Sequence, residues 1–594
     1  MKRYTTYFLL LVGILASSVN VQSQSSSDAP RIVNIVNFIR QLEPRNCNPP
    51  RTEEVLYQTT LEEANSLKSH HLIGTYLIQY DALLNPKYQK LLKEEMARGC
   101  EVGAWWEITQ PHVEAAGMTW RGRFPWDWYA NVGFTTGYTT GEREMLVDVY
   151  MKKFKEVFGK YPTSVGSWFI DAHTLAFMHD KYHIVAACNC RDQVGTDGYT
   201  LWGGYWGQGY YPSRKNSYMP AQTKDGQIDV PMFRMLGSDP TYQYDYGIGG
   251  KAQGVLTLEP VYKNAGGSAQ WVDWFFHSLF VDPALGFTYT QAGQENSFTW
   301  SNIQPGFEIQ MPLLEKYQND KQIRVQTLSE TGKWFKKEYS VTPATAMSAL
   351  TDFRTDNKKT VWFNSRFYRA NLLWTGSSFR IRDIHLFNEN DKSDYLELPD
   401  TSRVVVFTTL PFVDGCLWSS EEHLAGLRLM YKNADGNIVE AACSAPEVLT
   451  AGKKLSVRWK LDGTTTAFTM SFDEDQLKIS CKDKVEWFME MTALPSVQLP
   501  YTEITEKRID ARKTDFRFSV SQNESTKYNF VKTVAYPFNY AVECTTGRFV
   551  DTRNLGNGSV FKIEPDNQEI QLNFNVPMKI EKPEPGQSVS FGIQ

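Results

Sequence analysis

The chain is poor in the residues that announce metal and redox chemistry. Its 594 residues include nine histidines and eight cysteines. The cysteines, at 47, 100, 188, 190, 416, 443, 481 and 544, are too sparse for a disulfide scaffold. Export leaves room for one or two bridges, which spacing alone does not pair. Cys188-Asn-Cys190 is too closely spaced for an ordinary bridge, and the second CxxC of a zinc ribbon is missing, so two buried thiols are expected. Basic charge is not in excess: 62 Lys and Arg stand against 67 Asp and Glu, a net charge of −5. That excludes the basic field of a nucleic-acid protein. No segment approaches the ~20 consecutive apolar residues of a membrane-spanning helix. No GxGxxG follows the first apolar strand, and neither a GxxxxGK[ST] loop nor a GxSxG elbow occurs, which removes the dinucleotide, NTPase and commonest serine-hydrolase readings. Charged residues make up 22% and hydrophobic ones 42%, so wholesale disorder is excluded.

What is abundant is aromatic. Trp 17, Tyr 30 and Phe 34 amount to 14% of the chain, a composition suited either to a large β-rich core or to handling ligands with flat apolar faces. At the N-terminus, Lys2 and Arg3 precede the apolar run Phe8 to Ala16, followed by small and polar residues to Ser27. This is the pattern of a secretory signal peptide. No Cys follows the run, so no lipid anchor is expected. The expectation is a periplasmic or secreted protein, free of membrane once 1–28 is removed.

Between 29 and 343, strand and helix alternate. Strands are expected at 31–40, 73–83, 101–108, 164–172, 184–190, 230–236, 286–291 and 323–328, with helices at 53–68, 87–97, 141–158, 174–182 and 268–280. Thr140 is the expected cap of the third helix, with Arg143 at the capping-box position. Seven or eight such units argue a (β/α) barrel, with a doubly wound open sheet as the alternative. From 344 the pattern changes to short strands of period two, an all-β, sandwich-like region over 344–498. Residues 499–594 continue it, as a small β module or as part of the same domain.

In a (β/α) barrel the reactive side chains gather at the C-terminal ends of the strands. That rule selects Asp81, Glu107, Asp171, Asp239, Glu295 and Glu330. Asp171 follows the apolar WFI, and its competing role is a helix N-cap. Glu107 follows Trp105-Trp106, where apolar rings would raise its pKa and suit it to a general acid. Paired carboxylates flanking a glycosidic bond are the usual hydrolytic device. His112, Asp171 and His173 form an alternative zinc-ligand set. His179 and His183 have i,i+4 spacing but lack the Glu of HExxH, and are expected on a helix surface. Two long aromatic loops, 105–138 and 199–218, supply stacking surfaces for sugar rings: Trp105, Trp106, Trp120, Trp126, Trp128, Trp202, Trp206 and Tyr210, with Arg121 and His173 as polar partners. These rings equally serve to knit the loops to the barrel.

The stretch EREMLVDVYMKKFKEVFGKYPTSVGSWFIDAHTLAFMHDKYHIVAAC (142–188) resembles the glycoside hydrolase/deacetylase barrel superfamily. The whole chain is similar to exported gut-bacterial proteins built of paired domains of unknown function, on VNFIRQLEPR (36–45), GMTWRGRFPWDW (117–128), the 164–173 strand and TLWGGYW (200–206). The first resemblance implies a distorted seven-stranded barrel acting on glycans. Asp171 matches the carboxylate that ends strand four in the hydrolase branches, and Asp239 or Glu295 the later acid. The deacetylase branch ends strand one with an Asp pair and uses a metal-binding HxxxH. Here strand one carries no Asp, and the HxxxH at 179–183 lies on the helix after strand four. Three readings follow: a glycoside hydrolase centred on Asp171 and Glu107, without cofactor; a zinc-dependent deacetylase; and a non-catalytic glycan-binding protein.

Overall fold

The computed structural model describes residues 29–43, 51–248, 252–513, 517–522, 526–531 and 538–577; the leader and Cys47 lie outside the described residues. Eight strands organise the N-terminal half: β1 (Arg31–Ile39), β2 (Thr75–Ile78), β3 (Glu101–Trp105), β4 (Ser164–Gly166), β5 (Ala186–Asn189), β6 (Met232–Arg234), β7 (Thr288–Ala292) and β8 (Arg324–Gln326). They are parallel, in the order β7-β1-β2-β3-β4-β5-β6, and β8 pairs with β1 at Ile32 to Asn34. Every residue of β1 is buried, as its near-continuous apolar run requires of a strand covered on both faces. No hydrogen-bonded ladder joins β6 to β7. Phe233 packs on Tyr289 there, ring centroids 4.9 Å apart. The barrel is therefore distorted, with seven strands in its path and one seam closed by side chains.

Helices α1 (Glu53–Ser69), α2 (Pro86–Ala97), α3 (Thr140–Phe158), α4 (Ala172–Tyr182), α5 (Ala269–Phe280), α6 (Trp300–Asn319) and α7 (Leu328–Glu338) connect the strands. Helix α3 is capped one residue earlier than expected. Thr139 is the N-cap, which puts Glu142 rather than Arg143 at N3 and completes a capping box. Two strands are shorter than expected. After β2 the chain turns into a helical turn, Tyr80–Leu83, that carries Asp81. The strand β4 ends at Gly166; beyond it Ser167 N–H still donates to the Cys188 carbonyl (3.1 Å) and Cys190 N–H to the Trp168 carbonyl (2.9 Å), after which the chain leaves the sheet, with the Ser167 hydroxyl bonded to the carbonyls of Trp106 and Phe169, both at 2.8 Å. Asp171 thus lies five residues beyond the strand it was expected to end.

Downstream, two antiparallel sheets pack face to face. One runs from Ala284–Leu285 through Thr345–Ala349, Lys358–Asn364, Tyr368–Thr375 and Ser378–Leu386 to Gly426–Lys432, Trp487–Thr492 and Ser559–Glu564. The other holds eight strands from Glu447–Ala451 to Tyr501–Ile504. Phe379 on Trp459 (4.8 Å) and Phe363 on Phe472 (5.0 Å) are contacts between them. Residues after 499 add strands to both: Ser559–Glu564 pairs with Trp487–Thr492, and Glu569–Asn573 with Gln476–Cys481. The seven described cysteines are buried free thiols.

The β region is locked to the barrel by a buried ionic seam. Asp192 receives Arg234 from β6 at 2.7 Å and Arg369 from the β region, and Arg369 also holds Asp383 at 2.8 Å. Above it, Trp206 lies flat on Trp362 at 3.8 Å, and the Trp202 indole donates to Asp414 at 2.8 Å.

Candidate active site

The strand ends open onto a cavity of about 440 Å³. Its walls include the rings of Trp126, Trp128, Trp168, Tyr199, Tyr262 and Phe298, and its charged groups are Arg40, Arg51, Arg191, Asp197, Glu259 and Glu295. β1 delivers Arg40 as the first residue past Ile39, β5 delivers Arg191, and the chain after β7 delivers Glu295. Gly293 makes the last placement feasible. Its φ is +99°, and a Cβ there would stand 2.3 Å from the Val36 carbonyl oxygen, so only glycine lets this segment press against β1. Phe38 N–H then donates to the Gln294 carbonyl at 3.1 Å.

Arg40 is the hub. Its Nε and one terminal nitrogen form a fork onto Glu107 (2.9 and 2.7 Å), and the other terminal nitrogen meets Glu295 at 2.7 Å. The guanidinium lies over the Trp126 ring, 4.4 Å from its centre. Burial alone would lower its basicity, but Glu107 and Glu295 outweigh that and hold it firmly charged. Glu107 also accepts from the Gln79 amide at 2.9 Å. It sits behind Arg40 and does not line the cavity.

Glu259 is the second cavity carboxyl. It accepts from the Thr257 hydroxyl at 2.7 Å and the Gln294 amide at 3.3 Å. Burial pushes its pKa up to about 7, against the pull of those two donors and of Arg191; the charge of Glu295 adds to the rise. Glu259 and Glu295 thus share one cavity with opposite electrostatics. Glu259 has neutral donors only, whereas Glu295 touches a cation and accepts from the Ser297 hydroxyl. Deeper, Asp81 is buried beside Glu107, and burial raises its pKa to about 7.

The other expected site residues lie elsewhere. Asp171 is 1% exposed and is the N-cap of α4. It accepts from Thr135 (2.8 Å), Arg143 (2.9 Å), and the Thr174 amide (2.9 Å) and hydroxyl (2.7 Å), and it does not line the cavity. Asp239 closes a turn, accepting from the Thr241 and Tyr242 amides and the Trp271 indole. Glu330 is the N3 member of the α7 capping box. Trp105 stacks on Phe38 at 4.3 Å and Trp106 packs edge-on to Tyr150, both in the core. Trp120 donates to the Phe124 carbonyl, and Arg121 reaches the Gly137 carbonyl. Trp202 and Trp206 belong to the seam with the β region, and Tyr210 is buried on the Ser217 carbonyl. Of the rings in the two aromatic loops, Trp126, Trp128 and Tyr199 line the cavity.

The alternative zinc ligands do not converge. His112 bonds the Leu146 carbonyl at 2.8 Å and stacks on Tyr80, and burial lowers its pKa to about 4. Asp171 is held by Arg143, and His173 faces Glu144 at 3.0 Å. Among the described residues no three His, Cys, Asp or Glu side chains are grouped to hold a metal ion. These three residues do not fit a zinc site. His183 ends α4 in a left-handed conformation, and His179 pairs with Asp180 on the helix surface.

Several cavity residues escaped sequence reasoning, Arg40, Arg191, Trp168 and Glu259 among them. Arg40 and Arg191 stand directly after apolar strands, the position already used to select acids, but only acids were sought. Trp168 lies within a segment read as strand. Glu259 sits in the apolar VLTLEP (255–260), which forms no strand of the barrel.

No protein-family model matches the chain, and no curated protein matches it. Solved structures are similar over part of it. A proposed glycoside hydrolase/deacetylase from Parabacteroides distasonis is 17% identical with a TM-score of 0.47, covering 67% of this chain and 89% of that one. A proposed polysaccharide deacetylase from Mycobacterium smegmatis is 10% identical with a TM-score of 0.31, covering 52% and 91%. A family 4 carbohydrate esterase from Streptomyces lividans is 9% identical with a TM-score of 0.25, covering 51% and 96%. No side-chain role in this chain rests on these likenesses.

Proposed function

We propose that the chain is a glycan-active hydrolase that cleaves a glycosidic bond between Glu259 and Glu295. The observation that carries this reading is the pair itself: two carboxyls in one aromatic-walled cavity at the strand ends, one against a guanidinium and the other among neutral donors. Glu259, with its pKa raised to about 7, is protonated in about half of the molecules at neutral pH and serves as the general acid toward the leaving oxygen. Glu295, against Arg40, is the carboxylate that faces the positive charge developing on the sugar, as nucleophile or as base toward water. Trp126, Trp128 and Trp168 offer flat faces to the C–H surfaces of sugar rings. Glu107, placed behind Arg40, positions that arginine. Asp171 has no part in the chemistry on this reading.

The names carried by the similar structures agree with a carbohydrate substrate, and the leader-like segment 1–28 agrees with action outside the cytoplasm. The deacetylase alternative is less well supported, because its three ligand candidates are each committed elsewhere. The test is release of reducing ends from a polysaccharide panel by wild type, Glu259→Gln and Glu295→Gln. Each variant should lose about 10²-fold or more, with the melting transition retained. Full activity in either variant would overturn the assignment, and acetate release without new reducing ends would favour deacetylation.

A further inference from the structure

Three arginines line the cavity, and two of them are matched by acids. Arg40 is held between Glu107 and Glu295, and Arg51 lies 3.7 Å from Glu43. Arg191 differs. It is 2% exposed, and its guanidinium makes one hydrogen bond, to the Asp192 carbonyl at 2.7 Å. Its Nε is buried without a partner. The neighbouring Asp192 carboxylate is already taken by Arg234 and Arg369. The two cavity acids nearest in kind do not pair with it: the Glu259 oxygens are engaged by Thr257 and Gln294, and Asp197 stands exposed at the tip of a hairpin on the rim.

A guanidinium does not shed its charge. Buried and without a direct ion pair, it is costly unless an anion meets it. Sugar hydroxyls satisfy an N–H but leave the charge unmatched. A planar carboxylate or a sulfate matches both the charge and the fork of donors. We propose that the glycan bound in this cavity carries an anionic substituent, a uronate carboxylate or a sulfate ester, and that Arg191 binds it. This rests on the reading of the cavity as a glycan site.

The experiment is calorimetric titration of the full chain with matched pairs of oligosaccharides: oligogalacturonate and glucuronoxylan fragments against their methyl esters, and chondroitin sulfate and carrageenan fragments against their desulfated forms. At least one acidic member should bind about 10- to 100-fold tighter than its neutral twin, the worth of one charge-assisted hydrogen-bonded contact. Loss on esterification identifies a uronate, and loss on desulfation a sulfate. Arg191→Gln should erase the difference by costing the acidic member about 10- to 100-fold and the neutral twin far less, and Arg191→Lys should restore part of it. Equal binding of the twins, or no binding of any acidic member, overturns the proposal; so does an equal loss for both twins in a folded Arg191→Gln protein. If that variant does not fold, the wild-type comparison of twins still decides. Binding is read without turnover. A protein that binds acidic oligosaccharides and cleaves none therefore sinks the hydrolase reading alone, and one that binds and cleaves only neutral glycans sinks this one alone.

Discussion

Replacing Asp171 with alanine should cripple the fold and not the chemistry. The carboxylate is buried with Arg143, the two side chains 1% and 0% exposed. It accepts four hydrogen bonds, two of them from Thr174 at the start of α4. Removing one member of a buried ion pair costs about 3–5 kcal/mol, because the other charge stays behind. Loss of an N-cap alone costs about 1 kcal/mol. The same oxygens serve both roles, so the two do not add, and about 4 kcal/mol is expected. Against the ~5–15 kcal/mol that holds a typical domain together, that is a large fraction. Arg143 keeps carbonyl partners at Tyr138 and Tyr395, both at 2.7 Å, which limits the damage to its charge. Urea unfolding followed by circular dichroism measures the loss, and product release per folded molecule is measured alongside. Exchanging both residues, Arg143→Met with Asp171→Ala, should recover much of the stability, since no charge is then stranded. The reasoning fails if Asp171→Ala unfolds at the wild-type urea concentration while product release vanishes.

Two further outcomes follow from the geometry. Asp81 ionises near its ordinary 3.8 when unfolded and holds its proton to about 7 when folded. The native state therefore binds the extra proton between those values. Its contribution is complete below pH 3.8 and is lost as pH climbs through 7, a change of about 4 kcal/mol. Asp81→Asn has no such proton to lose, so it should gain on wild type by roughly that amount between pH 4 and pH 8; a constant difference across that range refutes the assignment. Trp126→Ala should weaken oligosaccharide binding about tenfold or more, at the scale of a lost stacking face. Trp206→Ala should leave binding unchanged while costing about 3–5 kcal/mol of stability, because its ring is spent on Trp362; calorimetry and thermal melts separate the two.

The barrel was legible because its strands are apolar runs separated by amphipathic helices, and β1 is buried from end to end as its sequence demands. The change to period two near 344 marks the β region for the same reason. The site was less legible. Glu295, selected by its position after a strand, and two tryptophans of one loop line the cavity. Asp171, selected by the same rule, lies off the cavity, because the WFI run bonds the next strand only as far as Trp168 and then continues as a loop, with the Ser167 hydroxyl on two carbonyls, to the N-cap of α4. Such a turn depends on carbonyls of Trp106 and Phe169 and leaves no periodic trace. The second aromatic loop looked like a binding surface, yet its rings meet strands more than 150 residues downstream, Trp206 on Trp362 and Trp202 on Asp414. Aromatic richness does not distinguish a ring waiting for a sugar from one waiting for another domain.

The electrostatic split between Glu259 and Glu295 has a single origin. Both carboxyls are buried, and burial is the main cause of the raised pKa of Glu259. The difference is where Arg40 points. Its fork on Glu107 fixes the plane of the guanidinium, and that turns the other terminal nitrogen toward Glu295 at 2.7 Å and the Ser297 hydroxyl at 3.4 Å. Once Glu295 is held as an anion, its charge makes ionisation of Glu259 harder still. Glu107 therefore acts at a distance: remove its charge, and Arg40 loses the anchor that aims it. Glu107 was expected to be the acid itself. Its place behind the arginine makes it the anchor that aims Arg40 at Glu295.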